Sequence, residues 1–96
     1  MFDNEQFSIL YLFYIEQSRE KSDILEIFTE RLKESRKKAG FTQERVAELL
    51  EIGYSTYRHY EYGNRVPVVT DAGKMAKLFG VSLDYLVGLT DEPKMR

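Results

Sequence analysis

Between Gly53 and Gly63 lies the stretch Tyr54-Ser55-Thr56-Tyr57-Arg58-His59-Tyr60-Glu61-Tyr62. Wound as a helix, at about 100° per residue, its side chains divide by chemistry. Tyr57 and Tyr60, with Gly53, fall on one side. Ser55, Arg58, His59 and Tyr62 fall on the other, with Tyr54 at the flank. The second side offers hydroxyl, guanidinium, imidazole and phenol groups and no carboxylate. A guanidinium donates two bonds to the O6/N7 edge of guanine, and hydroxyls adapt to any base, so this is the chemistry of a helix laid in a DNA major groove. The same face also suits a plain solvated helix surface. The tyrosines could stack single-stranded bases, although aromatics at helical spacing more often fill a core. His59 could serve as a general base or pH switch, but no nucleophile or metal partner accompanies it.

The rest of the composition narrows the chemistry further. The chain has 96 residues, enough for one domain, with 43% apolar and 31% charged residues. It contains no cysteine and one histidine. That excludes a thiol nucleophile, a thiolate site and a multi-histidine metal centre. No metal, cofactor or small-molecule ligand is implied, and no catalytic constellation is present. The N-terminus is acidic where a signal peptide is basic, and the apolar run Ile9–Ile15 falls well short of the roughly 20 residues that span a bilayer. A cytoplasmic, non-membrane, non-enzymatic protein is expected. Charge is uneven. Residues 1–27 carry two basic and six acidic side chains, whereas residues 28–90 carry ten basic and eight acidic ones. Such asymmetry suits a nucleic-acid-facing part joined to a part with another task.

The elements that must position the chemistry are helical nearly throughout. Asn4 to Ser18 centres on Phe7–Ile15, apolar on every side. We read it as a helix capped by Asp3 or Asn4, with a buried strand as the alternative. Ser22 or Asp23 caps a second helix to about Lys38, whose inner face follows Ile24, Ile27/Phe28, Leu32 and Ser35 and which Gly40 ends. Thr42 caps Gln43–Leu50, with Arg45 where a capping-box Glu or Gln would stand. Then come Tyr54–Tyr62, the loop Asn64-Arg65-Val66-Pro67, Val69–Phe79, and Ser82 capping Leu83–Val87. The tail, residues 91–96, is expected to be frayed.

Gln43–Leu50 and Tyr54–Tyr62, joined by Glu51-Ile52-Gly53, have the form of a helix-turn-helix. Arg36, Gly40-Phe41-Thr42-Gln43, Val46-Ala47, Ser55-Thr56, Tyr60-Glu61, Gly63, Arg65, Pro67 and the run Ala76–Gly88 carry a wider likeness. On these residues the chain resembles the phage-repressor and Cro-type helix-turn-helix family, also called the xenobiotic-response-element family, over residues 28–90. The resemblance implies an all-α, five-helix repressor-like bundle that binds double-stranded DNA. It implies a sequence-specific transcriptional regulator, a repressor before an activator, acting as a homodimer on a palindromic operator. At matching positions it implies base contacts from Tyr54, Ser55 and His59, joined on chemical grounds by Arg58. Thr42, Gln43, Thr56, Asn64 and Arg65 are expected on the DNA backbone. Arg36 and Glu61 match a largely buried, structural ion pair. Several positions depart from the pattern. Tyr57 stands for a small branched aliphatic, Tyr62 for an Asn, Gly53 for a Ser or Thr cap and Ser35 for a Leu, and Gly73 sits in mid-helix. Alternative roles are an antitoxin or restriction-modification controller, or a protein-interaction module that keeps the helix-turn-helix as scaffold.

Residues 1–27 have no counterpart in the resemblance. Nine largely apolar residues in a row make a patch that a monomer seldom leaves exposed. They are expected to pack on the bundle, on a second copy or on another partner. Phe7, Leu10, Tyr11 and Tyr14 are the candidates for a dimerisation arm, in competition with Leu83–Val87.

Overall fold

The computed structural model describes the backbone of residues 21–94 and the side chains from Asp23 onward. The Asn4–Ser18 segment, with Phe7, Leu10, Tyr11 and Tyr14, lies outside the described residues. Five helices follow one another: α1 (Lys21–Ala39), α2 (Gln43–Leu50), α3 (Tyr54–Tyr62), α4 (Val69–Phe79) and α5 (Leu83–Leu86). This is the all-α bundle that the sequence implies. Among the described residues the sole extended pairing is an isolated antiparallel bridge between Val81 and Lys94.

Local chemistry sets the boundaries. The last turn of α1 carries Arg36, Lys37 and Lys38, favourable to its macrodipole, and Gly40 then turns the chain at φ +78°. Thr42 caps α2, its side chain accepting from the Arg45 backbone N–H at 3.1 Å. At the end of α2, Glu51 takes the left-handed conformation (φ 58°), which a glycine would hold with less strain. Gly53 precedes α3 and offers no side-chain cap. Ser82 caps α5, accepting from the Tyr85 N–H at 3.0 Å.

Every helix contributes to one core. Phe28 and Leu32 come from α1, Val46, Ala47 and Leu50 from α2, and Tyr57 and Tyr60 from α3. Ala72, Met75 and Ala76 of α4 and Leu83, Leu86 and Val87 around α5 complete it. Each fully buried Leu, Phe or Met contributes about 1.5–3 kcal/mol through removal of apolar surface from water. Ile24 packs half-buried against this core. Ser35 ends the apolar line of α1 by donating its hydroxyl to the Arg31 carbonyl at 2.8 Å. Helices α1 and α2 pack closely against α3, and α4 packs on α1, α2 and α5.

The described part of the tail differs from the frayed segment expected. The Ser82 N–H donates to the Pro93 carbonyl at 3.0 Å, and Val81 bridges to Lys94. Arg31 of α1 donates to the carbonyls of Tyr85 and, at 2.8 Å, Thr90, and meets Asp91 at 2.9 Å. Its guanidinium also lies over the Tyr85 ring, 4.2 Å from the centroid. One arginine thus ties the end of α5 and the Thr90 carbonyl beyond it to α1.

Candidate nucleic-acid interface

The inner side of α3 is held by a polar knot inside an apolar core. The Glu61 side chain is fully buried, and that of Arg36 is 13% exposed. Arg36 Nε donates to Glu61 Oε2 at 2.6 Å and its Nη2 to Oε1 at 3.2 Å, while Nη1 donates to the Phe41 carbonyl at 2.9 Å. The Tyr57 hydroxyl donates to Glu61 Oε2 at 2.5 Å, and Gln43 Nε2 donates to Oε1 at 3.0 Å. A buried carboxylate is costly unless its lone pairs are taken, and here four donors take them. Burial pushes the Glu61 carboxyl up, but the bonds from Arg36, Tyr57 and Gln43 outweigh it and hold the group below the usual carboxylate range. Burial first, and the Glu61 carboxylate next, push the Tyr57 hydroxyl far above the usual tyrosine value. The knot joins α1, the start of α2 and the end of α3. A second tie joins α3 to α4, because the Tyr60 hydroxyl donates to Asp71 Oδ2 at 2.7 Å. Burial and that carboxylate raise Tyr60 to about 12.

With its inner side so fixed, α3 presents the opposite side to solvent. Ser55, Arg58 and His59 are exposed, as are Tyr54 (43%) and Tyr62 (58%). Thr42, Asn64 and Arg65 are also exposed, at the entry to α2 and in the loop after α3. Gln43 and Thr56 are half-buried. Gln43 turns its amide NH2 inward to Glu61, and the Thr42 hydroxyl caps α2, so neither side chain stands wholly free for another partner.

Arginine pairing sets this surface apart. Five arginines fall among the described residues. Arg31 pairs with Asp91, Arg36 with Glu61 and Arg45 with Glu48. Arg58 and Arg65 make no carboxylate pair among the described residues, and both belong to α3 or the loop that follows it. The Arg58 guanidinium lies 5.4 Å from the Tyr54 ring centroid and 5.7 Å from that of Tyr62. Among the described residues no group of His, Cys, Asp and Glu could hold a metal ion, and no helix is long and apolar enough to cross a membrane.

Three features escaped the reading of the sequence. The Tyr57 hydroxyl and the Gln43 amide both bind Glu61, and Tyr60 binds Asp71. The spacing of Tyr57 and Glu61, four residues apart, was a usable signal for the first. The Tyr54–Arg58–Tyr62 series carries the same spacing twice. The Gln43 and Asp71 contacts join different helices and had no local signature.

Comparison with known proteins agrees with this geometry. The helix-turn-helix family profile matches residues 32–86, from the middle of α1 to the end of α5. The HTH-type transcriptional regulator ImmR of Bacillus subtilis is 44% identical over 64 residues, which are 67% of this chain and 50% of ImmR. YobD of the same organism, an uncharacterized HTH-type transcriptional regulator, is 37% identical over 67 residues, 70% of this chain and 60% of YobD. The cryptic phage CTXphi transcriptional repressor RstR of Vibrio cholerae is 33% identical over 61 residues, 64% of this chain and 55% of RstR. The chain thus spans about half the length of the curated relatives it matches. No solved structure matches. A profile match over most of the bundle, two short helices joined at Glu51–Gly53 and a carboxylate-free outer side of the second converge on one assignment: the chain belongs to the Cro/C1-type helix-turn-helix family.

Proposed function

We propose that this chain is a sequence-specific, non-enzymatic transcriptional regulator that binds double-stranded DNA, acts in the cytoplasm and works as a repressor. Residues 28–90 read the DNA. Residues 1–20, ahead of α1, form an arm that pairs two copies, so that two α3 helices read a palindromic operator, while residues 21–27 belong to α1 and pack on the bundle through Ile24. The observation that carries this reading is the outer side of α3, exposed and rich in donors, where Arg58, and Arg65 in the following loop, make no carboxylate pair among the described residues. The names of the relatives support the regulatory role, and that of RstR supports repression.

In this reading Tyr54, Ser55, Arg58 and His59 meet base edges and supply sequence preference. Thr42, Thr56, Asn64 and Arg65 meet phosphates and set register. Gln43 joins them through its backbone N–H and the second hydrogen of its amide NH2, the first being donated to Glu61. A solvated face of no function would tolerate loss of Arg65 without effect. In the proposed role Arg65→Ala weakens binding evenly across sequences and lowers the salt slope by about one.

Selection of a random duplex library on the purified 96-residue chain tests the proposal. The expected product is an inverted repeat with half-site centres about 10 base pairs apart, or a multiple of that. A single enriched half-site would overturn the dimer and keep the DNA reading. No enrichment and no salt-sensitive binding would overturn both and favour a protein-interaction module.

A further inference from the structure

The four tyrosines of α3 separate into two pairs. Tyr57 and Tyr60 are buried, with their hydroxyls committed to Glu61 and Asp71. Tyr54 and Tyr62 stand on the surface, one helical repeat to either side of Arg58. Residues four apart advance by about 40° around a helix, so the three side chains form one stripe. Both ring centroids lie within the roughly 6 Å over which a cation is drawn to an aromatic ring.

An exposed arginine normally samples many rotamers, and ordering it on a ligand costs entropy. Two rings at the sides of the guanidinium restrict that sampling before any ligand arrives. No carboxylate among the described residues competes for it. A planar fork held in advance suits a partner with two acceptors in a fixed geometry, whereas a point charge serves as well for a phosphate. On duplex DNA the base edge with two such acceptors in the major groove is guanine, through O6 and N7.

We infer that Tyr54, Arg58 and Tyr62 form a preset guanine clamp, in which Arg58 specifies one guanine per half-site and the two tyrosines are its positioning residues. The inference rests on the proposed reading of duplex DNA, and its test separates the two.

Library selection is run on the full chain as wild type, Arg58→Lys, the pair Tyr54→Leu and Tyr62→Leu, and the pair Tyr54→Phe and Tyr62→Phe. Because all three positions are exposed, thermal melts of every variant are expected to match wild type. Wild type enriches guanine at one position of each half-site. Arg58→Lys still reaches O6 and N7 but lacks the planar fork, so it weakens that preference and binds the wild-type site roughly 10-fold more weakly, with the salt slope unchanged because the charge remains. The Leu pair reduces the guanine preference more than the Phe pair does, because the Phe pair keeps both rings beside the guanidinium and gives up only the hydroxyls, of which that of Tyr62 also interacts with Arg58. If Arg58→Lys enriches guanine as strongly as wild type, the clamp is overturned while the DNA reading stands. If the Leu pair keeps the full preference, the positioning role of the tyrosines is overturned. If wild type itself enriches nothing, the proposed function falls and the clamp with it.

Discussion

Glu61 is the residue on which the geometry of the helix-turn-helix turns. It sits fully buried between three helices, tied by Arg36, Tyr57 and Gln43. Removing one partner of a buried ion pair leaves the other charge without compensation, and Glu61→Ala is expected to cost about 3–5 kcal/mol. Tyr57→Phe removes one bond to a charged acceptor and is expected to cost about 1.5–3 kcal/mol. Thermal melts check both, and a Glu61→Ala melt equal to wild type would contradict a stabilising role for the knot. The pH dependence follows from the same groups. The Glu61 carboxyl is held low in the fold, so its stabilisation is present above the unfolded carboxyl value of about 4.3 and lost as pH falls below it. The Tyr57 and Tyr60 hydroxyls are raised in the fold, so their stabilisation is present below the unfolded tyrosine value of about 10 and lost as pH rises above it. The melting temperature is expected to fall on both flanks, and Tyr57→Phe to flatten the alkaline one. An alkaline flank identical in Tyr57→Phe and wild type would remove Tyr57 from that account.

At the scale of elements, two glycines show how one residue type takes opposite roles. Gly73 lies within α4 at an ordinary helical φ, and a Cβ there would meet nothing within 4 Å. Its flexibility weakens the helix without serving a contact, so Gly73→Ala is expected to stabilise by roughly 0.5–1 kcal/mol. Gly88 ends the α5 turn at φ +87°, and a Cβ there would lie 3.1 Å from Ile27 Cδ1 and 3.2 Å from Ile27 Cγ2. Gly88→Ala is expected to destabilise by about 1–3 kcal/mol, from the backbone conformation alone before any crowding of α1. Calorimetry of the two variants should move in opposite directions, by about 4–8 °C per kcal/mol for a domain of this size. Equal shifts would contradict the left-handed backbone at Gly88 and with it the close contact between α1 and the end of α5. That contact and the Arg31 bonds to Tyr85, Thr90 and Asp91 fasten the C-terminal end to α1.

At the scale of the molecule, the proposed homodimer assigns a task to residues 1–20. Four of their apolar side chains, Phe7, Leu10, Tyr11 and Tyr14, are proposed to bring two copies together. Deleting residues 1–20 is expected to halve the particle mass in sedimentation and to weaken binding to an inverted repeat far more than to a single half-site. An unchanged mass would move the dimer contact elsewhere, with the end of α5 next in line. The bundle itself should melt with little change, because its core draws on residues from Phe28 to Val87.

The sequence by itself determined the helices, because their signals are local. Thr42, Gly53, Gly63, Gly80 and Ser82 mark helix ends within a turn of the residues they affect, and the starts of α2 and α5, both ends of α3 and the end of α4 fall where those signals set them. It also determined which side of α3 faces out, since a period of about 3.6 residues divides Ser55, Arg58 and His59 from Tyr57 and Tyr60 without reference to any other helix. The matching positions of Arg36 and Glu61 were legible through the family resemblance. Only the tertiary structure decided what the inner polar groups do. A tyrosine in place of an aliphatic reads as a packing problem, yet the folded chain carries its hydroxyl to Glu61 and that of Tyr60 to Asp71. The same holds for Gln43, drawn inward, and for the tail, tied down by Arg31 and Ser82. These contacts join residues 11 to 60 positions apart or depend on the depth of the core. Buried donors and acceptors must find partners wherever the packing brings them, and no local pattern encodes which ones will meet.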